Sequence, residues 1–392
     1  MTTTKNNEHK KLNVPNLRFP EFEGEWKKCK VSDLLDFYST NSLSWDKLEY
    51  GTDAIQNLHY GLIHVGLSTM IDLSKDKLPN ITNGNTPKNY ELCQEGDIAF
   101  ADASEDTNEV AKAVEFYKLK GKDVICGLHT IHGRDNLQKT VVGYKGYAFS
   151  STAFHHQIRR IAQGTKIYSI NSKNFSECYI GIPSKEEQKK IATLLRLIDE
   201  RIVTQNKIID KLQSLIKGIA QKIVHSNKTN VRLSECVECS SSTLQESDVC
   251  EHGAYPVYGA NGIVGYLDNY NTEGEAVYII KDGSGVGTVS YVTGKCSATG
   301  TLNTLQAKEG YSLQYLYYLL NVFNFEPYKT GMAIPHIYFK DYGKAKFFCP
   351  SYTEQLQYAQ SLSAIDSKLL VEKNILTSLS MQKKYLLRQM FI

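Results

Sequence analysis

The sequence predicts an α+β chain made of two similar α/β blocks separated by an antiparallel coiled coil of two long helices, an internal repeat about a pseudo-twofold axis. Three observations predict it. Residues 182–202, "IPSKEEQKKIATLLRLIDERI", and residues 349–369, "CPSYTEQLQYAQSLSAIDSKL", agree at eight of 21 positions at an offset of 167. Each stretch opens a long heptad pattern. Each follows a large block that matches the other block only near its edges.

Bulk composition bounds the answer. The chain has 392 residues and is 41 % apolar, enough for two or three domains with sizeable cores. A net charge of +3 argues against a uniformly basic binder and leaves a local basic face open. Nine cysteines without framework spacing read as reduced thiols in a cytoplasmic protein. The opening "MTTTKNNEHKKLN" lacks the apolar centre of a signal peptide, so residues 1–15 are expected to be a disordered tail. No run approaches the roughly 18 apolar residues a membrane span needs. The 25 tyrosines suit a recognition surface or, equally, strands.

The elements follow in order. Residues 16–181 form the first block, and residues 182–226 the first long helix. Residues 227–349 form the second block, and residues 350–392 the second long helix. Pro183 and Pro350 disfavour helix just before them. Ser184 with Glu187, and Ser351 with Glu354, then spell a capping box at equivalent places. The first seam runs through Ile191, Leu195, Ile198, Ile202, Gln205, Ile209, Leu212, Ile216, Ile219 and Ile223. The second runs through Tyr358, Leu362, Ile365, Leu369, Glu372, Leu376, Leu379, Lys383, Leu386 and Met390. Spacing that alternates four and three over more than about four heptads signals a coiled coil rather than one amphipathic face on a core.

The repeat reaches upstream. "KVSDLLDF" at residues 30–37 resembles "RLSECVEC" at residues 232–239, and "INSKNF" at 170–175 sits where "IYFKDY" at 337–342 sits. The linker "HSNKTN" is short, and a block of this size keeps its ends close together, whereas the span from Ile191 to Ile223 is roughly 50 Å long. An antiparallel pair lets both ends of the block meet at one place. Gln205 and Glu372 then face each other mid-helix, where polar seam residues fix register. Two dissimilar blocks held that far apart would suit two half-sites on duplex DNA about 15 base pairs apart.

"PNLRFPEFEGEW" at residues 15–26 and the two Pro…Glu-Gln helical regions resemble the specificity subunits of type I restriction–modification systems. So do "YPVYGANGIVGYLDNY", "VYIIKDGSGVGTVSYV" and "GMAIPHI" in the second block, which resemble that family's target-recognition domains. The resemblance implies a non-catalytic subunit that reads double-stranded DNA through two target-recognition domains. It implies two methyltransferase (modification) subunits as partners, with restriction subunits joining them. S-adenosylmethionine, and ATP with Mg for restriction, would then belong to those partners, with no cofactor and no metal in this chain. Ser361, where the first copy has Leu194, departs from the repeat along with Tyr358 and Lys383, which bears on how evenly two modification subunits would dock.

The chain's own motifs agree with an absence of catalysis. It contains no Pro-Pro or Pro-Asp dipeptide and no Gly-x4-Gly-Lys-Ser/Thr phosphate loop. "KDGSGVGT" follows the strand-like "AVYII" and reads as a tight glycine turn between strands, where Lys281 and Ser284 could meet phosphate. Cys236, Cys239, Cys250 and His252 could be drawn as a zinc set, yet Cys236 and Cys239 align with Leu34 and Phe37 and so replace core residues. His129, His132, His155 and His156 show no metal or catalytic partners in the sequence and read as core or surface polar groups. "GDIAFADASED" at residues 96–106 carries four carboxylates that could accept from cytosine, or form a solvated turn. Basic residues in loop-like stretches form the pool of expected DNA contacts: Lys88, Arg134, Lys139 and Lys145 in the first block, and Lys281, Lys295, Lys329 and His336 in the second. Against this stand two other classes: a coiled-coil scaffold that binds only protein, and a standalone nuclease or methyltransferase.

Overall fold

A computed structural model describes residues 12–226 and 228–392. The chain divides into two compact units: residues 1–204 with 376–392, and residues 205–375. The expected tail lies mostly outside the described residues. Within them, Asn13 accepts from the Trp26 amide at 2.8 Å and Pro15 is buried, so residues 12–15 belong to the fold.

In the first unit a five-stranded sheet runs Asp36–Tyr38, Thr130–Arg134, Ile98–Ala101, Ala113–Lys118, Met70–Asp72. All neighbours are antiparallel except the last pair. A four-stranded sheet runs Val124–Cys126, Gln56–Leu58, Asn80–Ile81, Leu48–Glu49. One core gathers Phe100, Phe149, Phe154 and Phe175 with Ile191, Leu195 and Ile198 of the long helix and with Leu386, Met390 and Phe391. A second core holds Leu58, Ile71, Val114, Phe116 and Val124.

In the second unit Val237–Ser241, Leu302–Ala307, Ala276–Ile280 and Val289–Val292 form an antiparallel four-stranded sheet. Gly262–Leu267, Tyr255–Gly259 and Ser297–Ala298 form a smaller one. Val277, Leu305, Leu316, Leu319 and Tyr342 pack with Ile223, Ala359 and Leu362 in its main core.

The matched edges take matching forms. Lys27–Lys30 pairs antiparallel with Tyr179–Ile182, just ahead of the first long helix. Val231–Arg232 pairs antiparallel with Lys346–Phe347, just ahead of the second. Each leading strand runs into one helical turn, Val31–Leu34 or Leu233–Cys236, and then a second strand. Cys236 is fully buried, as Leu34 is, which explains the thiol at that position. Among the described residues Cys236, Cys239, Cys250 and His252 do not converge on a metal-type cluster, and Cys250 is exposed.

The long helices span Lys185–Ser226 and Tyr352–Gln389, 42 and 38 residues. Within each unit their segments run antiparallel. In the first unit Asp199 pairs with Lys383 at 2.6 Å, and Leu17 near the block's start donates to Gln389. In the second, Gln205 Nε2 donates to the carboxylate and backbone oxygen of Glu372, and Ile223 shares a core with Ala359 and Leu362. Tyr358, expected on the seam, is 37 % exposed and the neighbouring Ala359 is buried. The core of the second unit takes Ala359 and Leu362 there, while the Tyr358 ring lies 6.0 Å from that of Tyr315.

Candidate functional site

Each helix N-terminus is fastened to its block by an equivalent glutamine. Gln188 Oε1 accepts from the Val141 amide at 2.9 Å, while Nε2 donates to Lys139 O and Pro183 O. Gln355 Oε1 accepts from Ser312 N at 2.9 Å, and its Nε2 donates to Pro350 O. Both glutamines are buried, so every polar atom needs such a partner. The second capping box is complete, with Ser351 and Glu354 bonded in both directions. The first is only half formed. Ser184 Oγ accepts from Glu187 N, but the Glu187 carboxylate turns away to a bidentate pair with Arg18 (2.8 Å to each oxygen) and to Trp26 Nε1. Two charge-assisted bonds from a planar guanidinium outweigh the single carboxylate-to-amide bond of the cap.

A further match escaped the sequence reading. Tyr144 OH donates to Gly181 O at 2.6 Å, and Tyr315 OH to Phe348 O at 2.7 Å. One turn later, Tyr147 OH donates to Asp199 and Tyr318 OH to Asp366. The signal is Tyr-x-x-Tyr, hidden because its offset is 171 where the helices match at 167.

The expected DNA-contact residues fall into three groups. Arg134 and Lys145 face inward. Arg134 holds both oxygens of buried Asp97 and reaches Glu91 at 2.6 Å. Lys145 is buried 3.3 Å from Glu115, whose carboxylate accepts from Gly143 and Gly146 amides, and it donates to Thr140. Their charges are committed to carboxylates in the interior, so they are corrected to structural residues.

Lys139 donates to Asp33 O, and Lys295 lies over the Tyr270 ring, 3.7 Å from Glu273. Lys88 is exposed in the loop after Asn80–Ile81, with no ion-pair partner among the described residues. These three remain at or near the surface as separate cations.

The third group converges. The turn at residues 281–288 joins two antiparallel strands, with Gly283 and Gly287 at φ of 96° and 90°. It lies against the loop at 329–338: Gly283 N donates to Pro335 O, and Ile337 N to Lys281 O. This brings together Lys281, exposed Ser284, Lys329 and His336. His336 Nδ1 lies 2.7 Å from Asp282, and Lys329 2.5 Å from Glu326. Lys281 has no ion-pair partner among the described residues. Sequence reasoning passed over Met332, Ile334 and Tyr338, which stand exposed on the same loop. Small glycines, a free cation and exposed flat or apolar tips can meet both phosphate and base edges.

The first unit presents a different surface. Trp45, His59 and Tyr60 stack in series with ring centroids 4.5 and 4.7 Å apart, and Tyr60 abuts His129. Beside them opens a cavity of about 650 Å³ that includes Tyr60, His64, Glu105, Asp106, Lys112 and His129 in its lining. Of the four carboxylates in residues 96–106, Asp97 is buried and Asp102 Oδ1 lies 3.2 Å from His129 Nδ1, leaving Glu105 and Asp106 on the rim. Burial alone would raise the Asp97 carboxyl, but bonds from His132 and Arg134 outweigh it and hold it below the usual range.

The exposed faces of the two helices are not uniformly polar. Leu197, Val203, Met381 and Tyr385 stand exposed in the first unit, and Leu215, Leu370 and Val371 in the second. No helix is long and apolar enough to cross a membrane among the described residues.

Comparison with known proteins gives consistent matches. The family model of the type I restriction modification DNA specificity domain matches residues 76–214 and again residues 225–381. The EcoprrI specificity subunit of Escherichia coli is 27 % identical over 113 residues, 29 % of this chain and 28 % of that protein. The putative type I specificity subunit S.MgeORF438P of Mycoplasma genitalium is 27 % identical over 197 residues, 45 % of this chain and 50 % of its own length. The chain thus spans half or less of these curated relatives. Among solved structures, the type I restriction-modification S subunit from M. genitalium superposes with a TM-score of 0.64 at 18 % identity, over 97 % of this chain and 99 % of that one. A structure reported for the assembly and conformational transition of the type I R-M system gives 0.56 at 14 %, over 92 % and 96 %. These likenesses concern the fold.

Proposed function

The chain belongs to the type I restriction modification DNA specificity family, and we propose that it is the DNA-reading subunit of such a complex. It performs no chemistry itself. Each unit reads one half of a bipartite target in double-stranded DNA, leaving an unread spacer. Two methyltransferase subunits, which bring S-adenosylmethionine, then methylate an adenine in each half. Restriction subunits join the same complex with their ATP and Mg.

One observation carries this reading: the specificity-domain model matches twice in tandem, each match running into one of the two long helices. A protein-only scaffold does not account for two divergent blocks behind the same fastening. The glycine turn and loop around Lys281, Ser284 and His336 support DNA contact in the second unit. The exposed apolar residues on both helices are available for docking of the methyltransferase subunits.

Methylation mapping tests it. The chain is co-expressed with its methyltransferase partner in an unmethylated host, and methyladenine is located across the genome. The expected result is one bipartite motif with a methylated adenine per half, on opposite strands. Co-purification of the two proteins with no motif methylated, in a strain where the partner's own activity is confirmed, refutes the reading.

A further inference from the structure

Three side chains from separate parts of the first unit meet in its interior. Cys93 lies on the segment leading to the strand Ile98–Ala101, Cys126 ends the strand Val124–Cys126, and His132 is the middle of the strand Thr130–Arg134. Their exposures are 5, 2 and 0 %. The two sulfurs are 3.6 Å apart, and the two Sγ atoms and a His132 ring nitrogen all lie within 4.8 Å of one another. The backbone holds the first two in place: Cys93 N donates to Val124 O at 2.8 Å, and Leu92 bridges to Ile125.

The histidine is the telling member. Its Nε2 lies 2.7 Å from Asp97 Oδ2, while Nδ1 is buried with no hydrogen-bond partner among the described residues. An orphaned buried nitrogen costs free energy unless something occupies it. One ring nitrogen on a carboxylate, with the other left free, is the arrangement that orients an imidazole toward a metal ion. Asp97 is itself fixed by the Arg134 fork.

We propose that Cys93 Sγ, Cys126 Sγ and His132 Nδ1 bind a thiophilic divalent ion, zinc being the one this donor set suits, with water as fourth ligand. In tetrahedral zinc sites, bond lengths of about 2.3 Å to sulfur and 2.0–2.1 Å to nitrogen place ligand atoms roughly 3.5–3.8 Å apart. The sulfur pair already has that spacing, and side-chain rotation closes the remaining gap. Binding releases one proton from each thiol to solvent, and Zn²⁺ with two thiolates and a neutral imidazole adds no net charge to the interior. The ion would clasp residues 93–97 to two strands that belong to different sheets. This departs from the expectation of a metal-free chain. It arises from residues 33 and six positions apart, outside the Cys236 set that the spacing suggested.

Metal content of the full chain, purified under reducing conditions after growth with zinc, tests the site. The expectation is about one zinc per chain, lost in Cys93→Ser and Cys126→Ser and kept in Cys250→Ser. Cobalt reconstitution should add thiolate-to-metal charge-transfer bands and tetrahedral d–d bands. Should the two serine variants fail to fold, wild-type stoichiometry and the cobalt spectrum decide alone. The proposal is overturned if reduced wild-type protein stays metal-free after incubation with zinc. Retention of zinc by a folded Cys126→Ser variant, or a Cys93–Cys126 disulfide trapped by alkylation in protein prepared without air, also overturns it.

Discussion

Replacing Lys145 by Met separates a buried structural lysine from a DNA contact. Its side chain is 3 % exposed and that of Glu115 is 0 %. Burial pushes the Glu115 carboxyl up, opposed by Lys145 and by the Gly146 and Gly143 amides. Without the lysine, the carboxylate keeps two N–H partners but loses its countercharge. Removing one member of a buried pair costs about 3–5 kcal/mol. At roughly 2–4 °C per kcal/mol for a domain of this size, the melting temperature should fall by on the order of 10 °C. Urea unfolding of the single variants and of the Glu115→Gln/Lys145→Met double variant should give a coupling energy of about 2 kcal/mol or more, since the double change leaves no lone buried charge. A phosphate contact behaves in the opposite way. Its loss lowers the salt slope of DNA affinity by about one and leaves stability within about 0.5 kcal/mol, the pattern expected for exposed Lys88→Met. The reasoning is refuted if Lys145→Met unfolds within about 1 kcal/mol of wild type while its salt slope drops as that of Lys88→Met does.

Three further outcomes are expected. Gln205→Leu with Glu372→Leu should stabilise the second unit by roughly 1–4 kcal/mol, because Gln205 Oε1 is buried without a hydrogen-bond partner among the described residues and a packed apolar pair replaces it; a lower urea midpoint would contradict this. Gly181→Ala should cost about 1–3 kcal/mol, since the new Cβ would sit 2.4 Å from Ile392 Cγ1 and 2.7 Å from Trp26 Cε3; a variant lacking Ile392 should recover part of the loss in a thermal melt. His155 is held down to about 4 by burial and then by Arg159, against an ordinary 6.5. The unfolded chain therefore takes up the proton first. The stability from the neutral imidazole is complete above pH 6.5 and is lost as pH falls toward 4, by at most about 3 kcal/mol. His155→Met should flatten that part of the pH–stability curve, and an unchanged slope between the two pH values would contradict the assignment.

Periodicity and local chemistry alone made several features legible. A heptad pattern is a property of consecutive residues, so both long helices could be read directly, with Gln205 and Glu372 as equivalent seam positions. The likeness of the openings around Leu34 and Cys236 was visible because both copies kept their spacing, whereas their strand–turn–strand form came from the structure. The tertiary structure decided what depends on residues far apart in the chain. Whether a lysine is a free cation depends on which carboxylate the fold brings to it, and nothing near Lys145 or Arg134 announces Glu115 or Asp97. The Tyr-x-x-Tyr fastening was obscured because insertions between it and the helix shifted its offset. Glu187 left its capping box for Arg18, which lies 169 residues earlier. Cys93, Cys126 and His132 likewise meet only because the segment before Ile98–Ala101 and strands of two different sheets are brought together. Local pattern carries the scaffold, because helix and strand are selected over a few residues. Charge pairing and ligand convergence are selected by three-dimensional neighbours, which no window along the chain contains.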